Sequence, residues 1–239
     1  MIFPFPFFSG TMILFHGVLR YALGKPIIQD STIFIQEVIG WRKGEQMIGG
    51  IRMLPTNVIW KPTTGVGYEH LRIREGSNRI HVNSMVIGRL DDATLTRIQY
   101  EMVLDSNWVT REVSLAIMGE EGALHLSSDG KGNWTNEVGE PIPELVGCID
   151  IDISCTPFTN TLPIRRLSYS PWEPQPIQVV YFSAHELTYR QVQQQYTLLE
   201  SKEDSSVYRY QAGTFVENIT VDTNGLVLNY PDLFIREQV

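Results

Sequence analysis

From residue 57 onward apolar and polar residues alternate with a period of two, the spacing at which successive side chains of an extended chain leave opposite faces of a sheet. Ile98, Tyr100, Met102 and Leu104 fall on one side, and Arg97, Gln99, Glu101 and Asp105 on the other. After a turn at Asp105-Ser106-Asn107 the pattern resumes, with Val109, Arg111, Val113, Leu115 and Ile117 set against Thr110, Glu112 and Ser114. Arg79 to Ile87 alternates more loosely. Alternation of this kind predicts antiparallel strands with one buried face.

The breaks between these runs have turn chemistry. Gly76-Ser77-Asn78, Ser128-Asp129-Gly130-Lys131-Gly132 and Thr223-Asn224-Gly225 supply residues that tolerate positive φ. Asn224-Gly225, between Phe215–Val221 and Leu226–Leu228, is the strongest hairpin signal in the chain. Helical signal is scarce. Pro143-Glu144-Leu145-Val146 predicts a single turn, and Tyr189 to Tyr196 fits either a strand or a helix. The pattern therefore predicts an all-β fold: one antiparallel sheet, either curved and open or closed as a barrel, with one or two short helices.

Residues 1–50 are a different kind of sequence. They open with Met1-Ile2-Phe3-Pro4-Phe5-Pro6-Phe7-Phe8, and no Lys or Arg precedes Arg20. A secretory leader needs a basic start and an unbroken apolar stretch. A transmembrane helix needs about twenty apolar residues in a row, and Ser9, Gly10, His16 and Arg20 come too soon. Residues 1–50 carry four basic and three acidic residues, whereas 51–239 carry fifteen and twenty-four. The division expected is an N-terminal extension at 1–50 and a β domain at 51–239. Two readings of the extension stand side by side. Translation starts at Met47 or Met53 and residues 1–46 lie upstream, or Ser31-Thr32-Ile33-Phe34-Ile35 forms an extra strand or helix.

Over the whole 239 residues the formal net charge is −8 and the pI about 5.1. That argues against nucleic-acid binding, which draws on clustered Lys and Arg; Arg165-Arg166 is too small a cluster. Hydrophobic content of 43% leaves ample material for a core. Cys148 and Cys155 are seven positions apart, an odd separation that puts them on opposite faces of a strand and disfavours a mutual disulfide. No CxxC or Cys/His metal spacing occurs. A reducing, cytoplasmic setting is expected, although the sequons Asn133-Trp134-Thr135 and Asn218-Ile219-Thr220 keep secretion open.

One stretch is specific enough to carry a resemblance. Gly147-Cys148-Ile149-Asp150-Ile151-Asp152 is followed by Thr159-Asn160-Thr161-Leu162-Pro163-Ile164-Arg165-Arg166-Leu167. Around it stand Trp60 with Tyr68-Glu69-His70-Leu71, Trp108-Val109-Thr110-Arg111, Trp134, Tyr208-Arg209-Tyr210 and Asp222-Thr223-Asn224-Gly225 running to Tyr230-Pro231-Asp232-Leu233-Phe234. Together, over roughly residues 57–236, they resemble the bacterial family named putative glycolipid-binding proteins. The resemblance implies a strongly curved β architecture similar to the half-open barrels of periplasmic lipoprotein carriers, and a role in binding a lipid or glycolipid. It brings no set of catalytic residues. Asn229 stands where the family has an acidic residue before Tyr-Pro, and residues 1–50 have no counterpart.

Polar residues on the apolar phase of a strand are the informative ones, because a lone buried charge is expensive. Glu69 shares a face with Leu71 and Ile73, Arg111 with Val113 and Leu115, and Glu217 with Ile219 and Val221. Each is paired, wetted by a cavity, or shifted by a bulge. The candidate ligand-binding residues are Glu69, His70, Arg111, Arg165, Arg166 and Glu217. The ordinary alternatives are a structural Arg111–Glu217 pair, a tight bend at Thr159, Asn160 and Pro163, and Arg165 pairing with Asp150 or Asp152. Asp150 and Asp152 share a face with Cys148 and Ser154, which reads as the solvated side of a strand more readily than as a cation or acid/base site.

The reading favoured is non-catalytic binding of an amphipathic small molecule, a lipid or glycolipid, inside the curved sheet. The alternatives are an enzyme using Glu69, His70 and Arg111 or the Asp150/Asp152 pair, and a protein-interaction module. There is no HExxH helix, G-x-S-x-G elbow or G-x-G-x-x-G loop. No catalytic residue, metal or cofactor is therefore assigned, no nucleic-acid partner or transmembrane segment is expected, and oligomeric state stays open.

Overall fold

The computed structural model describes residues 57–89 and 95–238, together with the backbone of two short strands, β1 (Met47–Ile48) and β2 (Ile51–Arg52), which pair with each other. The expectations for residues 1–46 and for Met53 lie outside the described residues.

All other strands among the described residues belong to one sheet of 14. They are β3 (Asn57–Pro62), β4 (Gly67–Glu75), β5 (Arg79–Arg89), β6 (Leu95–Asp105), β7 (Thr110–Ile117), β8 (Ala123–Ser128) and β9 (Trp134–Thr135). Then come β10 (Asp150–Ile153), β11 (Pro174–Ser183), β12 (Thr188–Ser201), β13 (Ser205–Ala212), β14 (Phe215–Asp222), β15 (Val227–Tyr230) and β16 (Phe234–Arg236). In space the order is β10-β11-β12-β13-β14-β15-β16-β3-β4-β5-β6-β7-β8-β9. The chain starts this sheet in its middle, meanders out to the β9 edge, crosses to the β10 edge, and meanders back until β16 pairs with β3. Only the β10–β11 pair is parallel, because β10 is reached by a crossover and not by a hairpin.

That crossover explains the curvature. Thr135 and Asp150 are 15 positions apart, a reach of about 50 Å when fully extended. Thirteen strand spacings would put the edges of a flat sheet roughly 60 Å apart. The sheet must curl, and its edges do meet. Gly147 N donates to Gly132 O at 2.9 Å, and the indole Nε1 of Trp134 donates to Cys148 O at 2.7 Å. Both glycines have positive φ, 91° and 92°, and a Cβ on Gly132 would lie 2.9 Å from the Gly147 Cα. No ladder joins β9 to β10, so of the two forms expected the sheet takes the open one. Trp134→Phe keeps most of the buried ring and leaves the Cys148 carbonyl unpaired. A loss of about 1–3 kcal/mol is expected, read as a lower urea midpoint with unchanged slope; an unchanged midpoint would show that this bond does not hold the seam.

The predicted alternation is observed. Ile98, Tyr100, Met102 and Leu104 on β6 are essentially inaccessible, as are Val113 and Leu115 on β7. Tyr189 to Tyr196 is strand, within the 14-residue β12. Pro143–Leu145 is a single 3-10 turn, as its proline suggested. The Asn224-Gly225 hairpin also forms, with Gly225 at φ 75° and Asp222 Oδ1 accepting the amides of Asn224 and Leu226.

Two apolar clusters fill the sheet. One gathers residues of β3–β8 such as Trp60, Leu71 and Leu126, and the other gathers β11–β15 residues such as Tyr196, Tyr210 and Ile219. Strand β10 faces the first cluster and β11 faces both. Ile151, Ile153, Val180 and Phe182 belong to the first cluster, while Ile177 and Val179 belong to the second. Lying against them, Cys155–Ile164 is buried without interruption. This plug contains a 3-10 turn (Phe158–Asn160) and the one α-helix among the described residues, α1 (Thr161–Arg166). Pro163 is tolerated because it lies in the first turn, whose amides have no helical acceptor.

Candidate functional site

The sequence put Glu69 on the apolar face of β4, and it is 2% exposed. Its neighbours across the sheet are Trp60 and Val86. Three hydroxyls converge on one carboxylate oxygen. Ser84 Oγ donates to Oε1 at 2.7 Å, Tyr100 Oη at 2.5 Å and Thr156 Oγ1 at 2.9 Å. The other oxygen, Oε2, is buried without a hydrogen-bond partner. Burial pushes the carboxyl up to about 7 against the downward pull of Tyr100, Thr156 and Ser84. The Cys155 thiol is likewise pushed up, by burial and then by the charge of Glu69. Thr156 belongs to the plug, so Glu69 ties the plug to β4–β6.

On the far side of Thr156 lies a cavity of about 470 Å³ between the plug and β10–β16. That is within the size range of small-molecule sites. Its polar floor has two hydrogen-bonded centres, Asp152 and Asn160. Asp152 accepts Thr159 Oγ1 on Oδ1 at 3.2 Å, and on Oδ2 it accepts Gln194 Nε2 at 2.6 Å and Tyr210 Oη at 3.4 Å. Asn160 accepts Tyr196 Oη at 2.8 Å and donates to Pro157 O at 3.0 Å. Burial pushes Asp152 above its ordinary value, opposed by Gln194, Thr159 and Tyr210. Aromatic walls stand around this floor. Tyr210 meets Tyr196, Phe215 and Tyr230 edge-on at centroid separations of 5.3, 6.0 and 6.2 Å. Phe215 is 45% exposed at the mouth, and Arg190 lies over the Tyr181 ring at 5.0 Å.

The other candidates do not join Glu69. His70 is exposed on the opposite face of β4, with Nε2 3.2 Å from Asn57 Oδ1. Arg111 is a bulge residue: Val103 pairs with Glu112 and Leu104 with Thr110, so Arg111 has no partner across the ladder. The bulge turns Thr110 inward and leaves Arg111 half-buried near Asp105, at 3.9 Å. Glu217 is half-buried where β14 runs past the core, and it accepts the amide of Asn218. An Arg111–Glu217 pair does not form. Asp150 is not solvated, because Arg166 covers it with two bonds of 3.0 and 2.6 Å. Arg166, and not Arg165, is therefore the structural partner of this strand. Arg165 stacks on Trp108 at 4.1 Å and donates to Asn224 O at 2.7 Å. The residues proposed for enzymatic chemistry thus lie at separate places. Among the described residues no group of three or more His, Cys, Asp or Glu side chains could hold a metal, and no helix is long and apolar enough to cross a membrane.

Gln194, Tyr196 and Tyr230 were not singled out from the sequence. Gln194 carried the signal, since it shares the apolar phase of β12 with Val192, Tyr196 and Leu198. The ambiguity between strand and helix at Tyr189–Tyr196 concealed that phase.

Comparison with known proteins agrees with this architecture. The family model described as "Putative glycolipid-binding" matches residues 57–236. The crystal structure of a DUF1089 family protein from Pseudomonas aeruginosa is similar at 33% sequence identity with a TM-score of 0.63, covering 73% of this chain and 94% of that one. No curated protein matches the chain.

Proposed function

This chain belongs to the putative glycolipid-binding family, and we propose that it binds an amphipathic small molecule, a lipid or glycolipid, in the cavity between the plug and β10–β16. The observation that carries the proposal is the pairing, in one space of about 470 Å³, of aromatic walls with a fixed polar floor. Aromatic rings offer large apolar faces to an acyl chain or to the C–H face of a sugar. Asp152, Gln194 and Asn160 are held by their own hydrogen bonds, so they present hydroxyl-matching groups whose geometry is set before a ligand arrives. Binding, with no chemical step, fits a site whose two carboxyls are buried behind hydrogen bonds, with Glu69 behind Thr156.

The test uses the full chain and an alkyl glucoside below its micelle concentration, followed by calorimetry. Ala212 lines the cavity, and Ala212→Trp should fill it and abolish binding. Gln194→Leu should weaken binding about tenfold by removing the amide that fixes Asp152 in the floor. Absence of binding to the wild type, or equal binding by Ala212→Trp, would sink the proposal.

A further inference from the structure

A second cavity, of about 500 Å³, opens at the C-terminal end of α1. Its walls are two turns, Ser106-Asn107-Trp108 and Asp222-Thr223-Asn224-Gly225, with Ser206 and Tyr208 from β13. Three charged side chains reach it. Arg166 is neutralised by its two bonds to Asp150. Asp222 is neutralised by Arg236 at 2.6 Å and also accepts two turn amides. Arg165 differs from both. It is fixed by the Trp108 ring and the Asn224 carbonyl, yet no carboxylate among the described residues lies within ion-pair distance of it. Glu75 and Asp222 act on it only through longer-range attraction. Were Arg165 merely a cover for Trp108, a neutral side chain of the same length would serve without the cost of desolvating a charge. The guanidinium is instead held rigid beside a space lined by hydroxyls and amides, with donors to spare.

We propose that this cavity is an oxyanion site, taking a phosphate ester or carboxylate, with Arg165 as the uncompensated cation, Ser106 and Asn107 as additional hydrogen-bond donors, and Ser206, whose hydroxyl donates to Ser201 at 3.3 Å, on its wall. A planar guanidinium backed by an aromatic ring is suited to such a partner, since the ring holds the fork in place while its edge stays free for two parallel bonds. The site is separate from the aromatic cavity, and its occupancy does not depend on the amphipathic ligand.

The experiment titrates the full chain at low salt with inorganic phosphate, with glycerol 3-phosphate, and with phosphatidylglycerol vesicles against phosphatidylcholine vesicles. The first two arms report a soluble ligand and the third a lipid headgroup. Saturable binding in at least one arm is expected, weakened about tenfold or more in Arg165→Gln and reduced by added salt. Ser206 provides variants that leave Arg165 intact. Ser206→Lys should tighten binding and Ser206→Glu should weaken it. No saturable binding in any arm would overturn the proposal, and so would unchanged affinity in both Ser206 variants, whether or not Arg165→Gln folds.

Discussion

Arg166→Ala is expected to lower the unfolding free energy by about 3–5 kcal/mol, the usual cost of stranding one partner of a buried ion pair. Asp150 is 1% exposed, and Arg166 supplies both of the charged donors to its carboxylate. Without the guanidinium the carboxylate would stay buried on a strand covered on both faces. The same reasoning predicts that the pair matters less than its breakage. Asp150→Leu combined with Arg166→Met should recover most of the loss, because an apolar pair of similar volume avoids the desolvation of both charges. Chemical denaturation of the two single variants and the double variant decides this. If Arg166→Ala costs under about 1 kcal/mol, the pair behaves as an exposed surface bridge, and its assignment as a buried anchor is wrong.

Glu69→Gln should change the pH dependence of stability more than its value at any one pH. The folded carboxyl titrates at about 7, against an ordinary value of 4.5. Between those values the folded state keeps a proton that the unfolded state has lost. The stabilisation from that proton is therefore complete below about pH 4.5, declines as pH rises, and is gone above about 7. A shift of that size corresponds to about 3 kcal/mol. Asp152 is also raised and tilts the profile the same way, whereas the exposed Asp129 is lowered and tilts it oppositely. Relative to the wild type, Glu69→Gln should gain about 3 kcal/mol between pH 4.5 and 8, with the residual slope in the variant set by the remaining carboxyls. Parallel profiles would mean that Glu69 does not titrate in this window.

Alternation made β5, β6 and β7 legible, and the charge on an apolar phase made Glu69 legible. The same rule misplaced Arg111 because a bulge inserts one residue and reverses the phase, which nothing local in Val109-Thr110-Arg111-Glu112 announces. It overstated the burial of Glu217 because the start of β14 lies at the rim of the cavity, where Phe215 on the same phase packs against Tyr210 and Tyr230 and is still 45% exposed. Asp150 was misread for a different reason. A strand with one solvated face and a strand whose polar face is covered by an arginine have the same pattern of residues. The plug was the largest omission. Six residues of α1 with a proline at the third cannot hold a helix through propensity alone. Burial in the curl of the sheet makes it helical, and burial is a property of the whole fold. The cavity floor followed from the plug, since Asn160 and Thr156 reach it only after the plug is in place.

The placement of the last strand has a consequence for how the molecule is assembled. β16 pairs with β3 at the centre of the sheet, joining Phe234 to Pro62 and Arg236 to Trp60. Every other ladder of this sheet links strands adjacent in the sequence. During synthesis the meander from β3 to β9 can pair as it emerges, and so can the run from β11 to β15. The joint between them is a long-range contact whose loop-closure cost falls late. Until then β3 presents an unpaired edge in the middle of the future sheet, the kind of edge that recruits strands from other chains. A nascent chain stalled before Phe234 would therefore carry two half-sheets with their central edges open. The three residues of β16 are the element that turns those halves into one sheet.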